Sequence, residues 1–300
     1  MQANSQHTST LPVISLLVAA TLWGVFWYPL RILEEQGLSG TWASLLIYTG
    51  TLVIALPIII RRFNEFLASP LLLLAILAFS GWCNISFILA IVEGEIVRVI
   101  LLFYLSPIWA TILARFVLKE ELTLQARATI ILALVGAMTM LWSPEFGYPW
   151  PSSGADWLAL SSGVAFAFTN LFTHMAKQAS IQMKTAAAWV GVVLIAVTII
   201  LLQEGDISLN VEASTIYLAM IIGLVLMSVM TFSVVYGVTH MPVHRSAVIL
   251  IFEVVAAAVS TYLLTDERLN LREWIGGGIV IFAAYLAAMQ HKQKFKIEQN

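Results

Sequence analysis

A single carboxylate, Glu253, lies in the run ILIFEVVAAAVSTYLL (residues 249–264), which carries no other charge. A charged acid at the centre of a membrane helix costs about 2.5–3.5 kcal/mol. Neutralising a glutamate of reference pKa about 4.3 at pH 7 costs about 3.7 kcal/mol. Because these costs nearly balance, local hydrogen bonds decide the charge of Glu253. The residue could take up and release a proton or contact a ligand, or it could be a protonated group that hydrogen-bonds a neighbouring helix.

Few other polar side chains interrupt the apolar runs, and the notable ones are Asn84, Asn170 and His174. The sequence has no HExxH motif, no Ser-His-Asp set and no cluster of acids suited to a metal. Its one cysteine, Cys83, forms neither a disulfide framework nor a zinc site. We therefore expect no enzyme activity, no metal and no cofactor.

The composition is that of an integral membrane protein, because 60% of the 300 residues are hydrophobic and only 11% are charged. The mean hydropathy is +0.91, and a net charge of −2 gives no reason to expect a nucleic-acid partner. A helix needs about 20 apolar residues to cross a bilayer. On that criterion we predict an all-α polytopic protein with about ten membrane spans, numbered 1 to 10, at 12–31, 41–60, 70–92, 98–117, 126–142, 155–176, 185–202, 213–239, 246–264 and 273–290.

Basic residues near the ends of spans predict the orientation, because Lys and Arg favour the cytoplasmic side of a membrane. With a cytoplasmic N-terminus, eleven of the 15 basic residues fall inside and four outside. The inner group is Arg61, Arg62, Arg115, Lys119, Arg127, Lys177, Lys184, Arg245, Lys292, Lys294 and Lys296, and the outer group is Arg31, Arg98, Arg268 and Arg272. Both termini are thus predicted to be cytoplasmic.

The two halves of the chain form an internal repeat. RVILLFYLSPIWATILARFVLKEELTL begins at Arg98 and RSAVILIFEVVAAAVSTYLLTDERLNL at Arg245, and one offset without gaps also pairs Glu120 with Glu267. A repeat of five spans, an odd number, must insert upside down relative to its copy. We predict a first repeat at 12–142, an extracytoplasmic linker at 143–154, a second repeat at 155–290 and a cytoplasmic tail at 291–300. Inverted repeats are typical of secondary transporters that work by alternating access.

Three motifs indicate a family: LWGVFWYPLR in span 1, and the segments ending in LKEELTL and LTDERLNL, together with Pro107 in span 4. They resemble the drug/metabolite transporter superfamily, in particular the EamA-type ten-helix exporters, and most of all the bacterial aromatic amino acid exporters. The resemblance implies a multi-pass protein of the bacterial inner membrane, with both termini cytoplasmic. It further implies export of aromatic amino acids and related small metabolites.

The same resemblance places spans 1, 3, 4, 6, 8 and 9 around a central cavity. An aromatic amino acid needs stacking surfaces and a few polar groups there. The predicted substrate-binding residues are Trp23, Trp27, Tyr28, Asn84, Phe87, Tyr104, Asn170, His174, Phe232, Tyr236 and Glu253, and Pro107 is predicted to bend span 4. For each aromatic residue the alternative is packing against lipid or neighbouring helices.

Several alternatives stay open at this stage. Within the superfamily the substrate could be another amino acid, a purine or a cationic drug, and outside it the protein could be a channel or a membrane scaffold. The small residues of span 10, Gly276 to Gly278 with Ala283, Ala284, Ala287 and Ala288, predict close helix packing. That packing could serve the fold or a homodimer.

The predicted orientation can be tested with reporters. Green fluorescent protein fused separately before residue 1 and after residue 300 should fluoresce in both fusions, because it folds in the cytoplasm. Alkaline phosphatase fused in the 143–154 linker should be active, because it requires the outer side. Reporters that place the two termini on opposite sides of the membrane would contradict the inverted five-span repeats.

Overall fold

A computed structural model of the protein describes residues 10–94, 96–141, 151–202, 209, 211–264 and 271–297. These residues form helices and no strand. The bounds are Leu11–Val25 and Trp27–Glu35 (span 1), Gly40–Arg61 (span 2), Pro70–Glu93 (span 3), Ile96–Phe103 and Ser106–Phe116 (span 4), Leu124–Leu141 (span 5), Gly154–Met175 (span 6), Ile181–Leu202 (span 7), Ala213–Ile222, Gly223–Met227 and Ser228–His240 (span 8), Val243–Leu250 and Phe252–Leu264 (span 9) and Leu271–Ile297 (span 10). The short helix Phe63–Ala68 joins spans 2 and 3.

Nine of these spans in the described part of the chain are long and apolar enough to cross a membrane. The exception is span 6, which has 22 residues but carries Asp156, Asn170 and His174. It packs against spans 3, 4 and 8, and ten of its residues are buried. Neighbouring helices therefore shield much of its polar surface from lipid. For this reason span 6 can be less apolar than the other spans although its length is sufficient.

The all-α polytopic fold class is confirmed, and most predicted ends of spans agree with the structure within a few residues. Spans 7 and 9 begin earlier than predicted, at Ile181 and Val243. Lys184 and Arg245, predicted to precede these spans, therefore lie inside them. A span predicted from hydropathy ends at the first charged residue. The helix itself can continue past that residue where the charged side chain finds polar partners. Residue 142, residues 143–150 of the predicted linker, Glu267 and residues 298–300 of the tail lie outside the described residues.

Spans 4 and 9 both break near their middle, at positions that the repeat offset pairs. In span 4 the amide of Leu105 donates to the carbonyl of Leu102 at 3.3 Å, just before Pro107. In span 9 the amide of Ile251 donates to the carbonyl of Val248 at 3.2 Å. In span 4 the interruption between Phe103 and Ser106 lies directly before Pro107. Its counterpart in span 9 lacks a proline, so tertiary packing produces the same local geometry.

Corresponding spans of the two halves pack antiparallel. A Cβ atom added to Gly136 of span 5 would meet the Gly276 carbonyl of span 10 at 2.9 Å, and one added to Gly276 would meet the Gly136 carbonyl at 2.7 Å. Further along, Ala133 and Ala137 share a core cluster with Val280. This direction of packing is what inverted repeats require.

Glycines bring spans of different halves into backbone contact elsewhere as well. A Cβ on Gly191 of span 7 would collide with the Leu77 carbonyl of span 3, and one on Gly223 of span 8 would collide with the Ile47 carbonyl of span 2. Lipid tails provide little hydrophobic drive between helices, so close backbone packing has a larger role in holding the spans together.

The small residues of span 10 serve this internal packing. Gly276 faces span 5, and Ala283 and Ala287 are buried in the core cluster that spans 5 and 10 share. Gly278 lies on another face, with no atom within 4 Å of an added Cβ. A homodimer through span 10 stays a prediction and would have to use a face other than the buried ridge.

The glycine contacts predict that adding one methyl group at Gly191 and adding one at Gly278 have different effects on stability. Gly191→Ala should lower the free energy of unfolding by about 1–3 kcal/mol, because the methyl group overpacks a site filled by a backbone carbonyl. Gly278→Ala is the matched control and should leave stability unchanged or raise it by about 0.5–1 kcal/mol, because alanine favours helix. Thermal unfolding in detergent measures both, and equal stability of the two variants would contradict the packing of spans 3 and 7.

Candidate transport site between the repeats

Glu253 lies in the first turn of the second half of span 9, directly after the break. Span 1 approaches this turn closely: a Cβ on Gly24 would meet the Glu253 carbonyl and the Ala256 side chain, both at 2.6 Å. The Gly24 of the LWGVFWYPLR motif is therefore required for span 1 to approach the carboxylate-bearing turn. Span 1 belongs to one repeat and span 9 to the other, so Glu253 lies at the interface between them.

The carboxyl group of Glu253 lies beside the hydroxyl of Tyr104 and interacts with it electrostatically. Tyr104 immediately precedes the break in span 4, so the two broken helices meet through these side chains. In the described part of the chain, no Lys, Arg or His lies within the 4.0 Å ion-pair distance of Glu253. The repeat offset makes Ser106 the position of span 4 that is equivalent to Glu253, and Tyr104, two residues earlier in span 4, is the residue beside its carboxyl group.

Aromatic rings extend from Tyr104 across spans 3, 4 and 6. The centroid of the Phe103 ring is 5.0 Å from Phe87, 5.7 Å from Tyr104 and 5.6 Å from Phe166. Phe87 and Tyr104 were predicted from the sequence, whereas Phe103 and Phe166 were missed. The position of Phe103 next to Tyr104 before the break in span 4 was the signal that could have identified it.

A second aromatic group lines spans 1, 7 and 8. Trp23 packs edge-to-face on Phe26 at 5.5 Å, and Trp189 packs edge-to-face on Phe232 at 5.4 Å. All four side chains belong to one core cluster. Trp189 was missed because span 7 is not among the spans that the family resemblance places around the cavity.

Other predicted site residues are engaged elsewhere. The indole N–H of Trp27 donates to the Ser260 hydroxyl at 2.9 Å, and the adjacent Tyr28 is 41% exposed. The side-chain oxygen of Asn84 in span 3 accepts from the Tyr48 hydroxyl of span 2 at 2.8 Å. The break at Phe26 separates Trp23 from Trp27, and the two side chains contact different partners.

His174, Tyr236 and Asn170 lie toward the end of the bundle where spans 6 and 8 finish. The Nδ1 atom of His174 is 3.0 Å from the Val238 carbonyl. The ring of Tyr236 is 4.3 Å from that of His240, which is exposed. Asn170 is buried, and its amide nitrogen has no hydrogen-bond partner among the residues that the structure describes. The structure does not bring these three residues into contact with Glu253.

The interface between the repeats is bridged near both ends of span 4. Arg98, in the first turn of span 4, forms an ion pair with Asp156 of span 6 at 2.8 Å. Asp156 also accepts a hydrogen bond from the Ser152 amide. We call this the Arg98 contact. After span 4 ends, the carboxylate of Glu120 pairs with His244 Nδ1 at 2.6 Å and accepts from the Val243 amide at 3.3 Å. We call this the Glu120 contact.

The Glu120 contact caps the start of span 9 with a negative charge. Burial alone would raise the pKa of Glu120, but hydrogen bonds from His244 and Val243, with the charges of His244 and His174, outweigh it and lower the pKa below its ordinary value of about 4.5. A carboxylate at a helix N-terminus is also favoured by the helix dipole. The ionised form therefore joins the two repeats near neutral pH.

Comparison with known proteins supplies the family. Residues 10–142 and 153–289 each match the EamA-like transporter family. The chain belongs to the EamA-like transporter family. It is accordingly a multi-pass membrane transporter of small molecules, built from two copies of the EamA unit.

A solved structure supports the fold independently. It is described only as a crystal structure of a protein, and it superposes with a TM-score of 0.71 at 15% identity, covering 94% of this chain and 99% of that chain. At this identity the likeness shows the fold alone. Among curated proteins, none matches this sequence significantly.

The Glu120 contact generates a prediction about acid stability. Because the pKa of Glu120 is lowered in the folded protein, its carboxylate stabilises the fold above about pH 4.5, and this stabilisation is lost as the pH falls through the lowered pKa. Glu120→Gln should therefore lower the free energy of unfolding by about 1.5 kcal/mol at pH 7, the lower end of the range for hydrogen bonds to a charged group.

Thermal unfolding of both proteins between pH 7 and pH 3.5 measures the difference, which should shrink below pH 4.5. Glu121→Gln, which changes the exposed neighbouring acid, is the matched control and should follow the wild type at every pH. A stability difference between wild type and Glu120→Gln that persists unchanged in acid would contradict the assigned contact.

Proposed function

We propose that the chain is a secondary transporter that exports aromatic amino acids and related small metabolites by alternating access. The observation that supports this most directly is the half-buried Glu253 carboxyl group beside the Tyr104 hydroxyl at the interface between the repeats, with aromatic rings nearby. The carboxylate can receive an ammonium group, and rings around Phe103 can stack on an aromatic side chain.

Two contacts support the alternating mechanism. The Arg98 and Glu120 contacts each join the first repeat to the second, and they lie at opposite ends of span 4. If the repeats rock about the centre, opening one end requires breaking one contact while the other holds. Two near-equal arrangements of this kind give inward and outward openings.

The orientation and location are part of the same proposal. We place the protein in the bacterial inner membrane with both termini cytoplasmic, so that the Glu120 contact closes the cytoplasmic end. The excess of basic residues on that side supports this placement. Other amino acids and purines are alternative substrates. One observation favours cationic drugs as a second candidate class. Among the described residues, no Lys, Arg or His lies within ion-pairing distance of Glu253, so its carboxylate is available to a cationic ligand.

Counterflow of labelled tryptophan in proteoliposomes tests the proposal. Saturable counterflow, competed strongly by phenylalanine and weakly by threonine, is the expected result. Stronger competition by a quaternary ammonium drug would favour the cationic class. Rates that do not saturate would indicate a channel, and no flux of any metabolite tried would favour a scaffold; either result would overturn the proposal.

Glu253 should be essential for the rate and its dependence on pH. We expect Glu253→Gln to fold normally and to lower tryptophan counterflow by about tenfold or more. This reduction corresponds to the loss of a hydrogen bond to a charged group, worth about 1.5–3 kcal/mol. The variant should also flatten the pH dependence of counterflow between pH 6 and pH 8. Tyr104→Phe should lower the rate less, because it keeps the carboxyl group.

Glu35→Gln, at an exposed acid 66% accessible to solvent, is the matched control and should leave both properties unchanged. An unaltered pH profile in Glu253→Gln would return Glu253 to a purely structural role as a hydrogen-bonding group between helices.

A further inference from the structure

Hydrogen bonds join span 1 to the second half of span 9. The indole N–H of Trp27 donates to the Ser260 hydroxyl at 2.9 Å. The Ser260 hydroxyl in turn donates to the Gly24 carbonyl of span 1 at 3.1 Å, and it shares this hydrogen with the Ala257 carbonyl of its own span at 2.8 Å. Ser260 is buried. We call this set of bonds the Ser260 contact.

The Ser260 contact lies at the break in span 1. The helix Leu11–Val25 ends there and the helix Trp27–Glu35 begins. Gly24 belongs to the first of these helices and Trp27 to the second. Within a membrane, Ser side chains of neighbouring helices can satisfy backbone groups that a break leaves without their regular partners. A single side chain of span 9, that of Ser260, therefore holds both halves of span 1.

Ser260 and Glu253 lie on the same face of span 9. They are seven residues apart in the sequence, and about two turns of an α-helix bring the chain back to nearly the same side. Between them, a Cβ on Gly24 would meet the Ala256 side chain at 2.6 Å and the Ala257 amide nitrogen at 2.7 Å. The face of span 9 that packs against span 1 therefore runs from the Glu253 turn to Ser260.

The place of Glu253 depends on this packing because span 9 is interrupted just before it. The break at Ile251 separates the first half of the span from the half that carries Glu253. The first half therefore does not set the direction of the second as a continuous helix would. Lipid tails provide little hydrophobic drive between helices, so hydrogen bonds between spans have a larger part in fixing their positions. The Ser260 contact supplies such bonds.

We propose that Ser260 and Trp27 are positioning residues for Glu253. Their hydrogen bonds hold the second half of span 9 against span 1, and this keeps the carboxyl group beside the Tyr104 hydroxyl at the interface between the repeats. The inference rests on the proposed function and deepens it, because a carboxylate that receives the ammonium of a solute must have a fixed place relative to the rings around Phe103. Trp27 then acts through Ser260 rather than by contact with the solute.

Chemical labelling tests the position of Glu253 without requiring transport. Dicyclohexylcarbodiimide modifies protonated carboxyl groups in apolar surroundings, and mass spectrometry of the peptide that carries Glu253 measures the rate in detergent. Ser260→Ala and Trp27→Phe should each raise this rate about threefold to tenfold, the range that hydrogen bonds between membrane helices support. The rate rises because span 9 then separates from span 1 and its carboxyl group becomes more accessible. Glu253→Gln should give no label at this position and so identifies the signal.

The kinetics of tryptophan counterflow separate positioning from a general effect on stability. Ser260→Ala and Trp27→Phe should each raise the half-saturating tryptophan concentration about threefold to tenfold, because the solute meets a displaced carboxylate. The maximal rate should stay within about twofold of the wild type, because the rest of the pathway is unchanged. A lower midpoint of thermal unfolding with an unchanged half-saturating concentration would show that the bonds serve stability alone, which would overturn the positioning role.

Ser246→Ala is the matched control. Ser246 is also a buried serine of span 9, and it lies seven residues before Glu253, as Ser260 lies seven residues after it. Its hydroxyl donates to the Val243 carbonyl of its own span at 2.9 Å, whereas the Ser260 hydroxyl reaches span 1. Ser246→Ala should therefore match the wild type both in the labelling of Glu253 and in the half-saturating tryptophan concentration.

Three further results would overturn the positioning role. One is labelling of Glu253 in Ser260→Ala at the rate of the wild type. Another is an equal change of this rate in Ser246→Ala. The third is a raised half-saturating concentration in Trp27→Phe beside a normal one in Ser260→Ala, because the indole would then contact the solute itself. If Ser260→Ala does not fold, the labelling rate of Trp27→Phe decides the question.

Failure of the proposed function gives a different pattern. Absence of tryptophan counterflow in the wild type, together with faster labelling of Glu253 in Ser260→Ala, would remove the proposed export of aromatic amino acids and keep the positioning role. Saturable counterflow in the wild type, together with normal labelling and normal half-saturating concentrations in Ser260→Ala and Trp27→Phe, would keep the export and remove the positioning role.

Discussion

A bilayer offers no hydrogen-bonding partner to a buried polar group, and this constraint governs the whole structure. Each span must satisfy its own backbone, so the described chain is helical wherever it crosses. The helices in turn gain little from burying apolar side chains against each other. What joins them instead is close backbone contact at glycines such as Gly191 and Gly223, and a small number of polar side chains whose partners lie on other spans.

Three polar contacts between the repeats lie at different levels of the bundle, one near its centre and one toward each end of span 4. Glu253 and Tyr104 connect the two breaks at the centre, where spans 4 and 9 leave the regular helical pattern. Arg98 and Glu120 connect the repeats toward the two ends of span 4. A bundle held mainly by backbone packing, with charged contacts near its ends, can exchange one end contact for the other at low cost, and such exchange is what alternating access requires.

Two ionisable side chains of opposite sign lie inside the bundle, Glu253 in span 9 and Lys184 in span 7. Glu253 is half-buried and Lys184 is buried, and neither has an ion-pair partner among the described residues. An unpaired charge in an apolar region is destabilising, so each of these side chains is costly if it serves packing alone.

The sequence by itself determined the membrane class, the number and approximate limits of the spans, the internal repeat and the break at Pro107. These follow from local quantities: apolar length, the missing amide of proline and the recurrence of residues at a constant offset. Glu253 was also evident, because a single charge in a long apolar run needs no structure to be noticed.

Only the tertiary structure decided which side chains meet. The break in span 9 has no proline to signal it, Tyr104 is the side chain beside Glu253, and Trp27 and Asn84 are bound to neighbouring helices. Lys184 was predicted to lie outside span 7 because a span predicted from hydropathy ends at a charged residue. Its burial depends on the packing of neighbouring spans around span 7. Such partnerships arise between residues far apart in the chain, so no local pattern of apolar and polar residues specifies them.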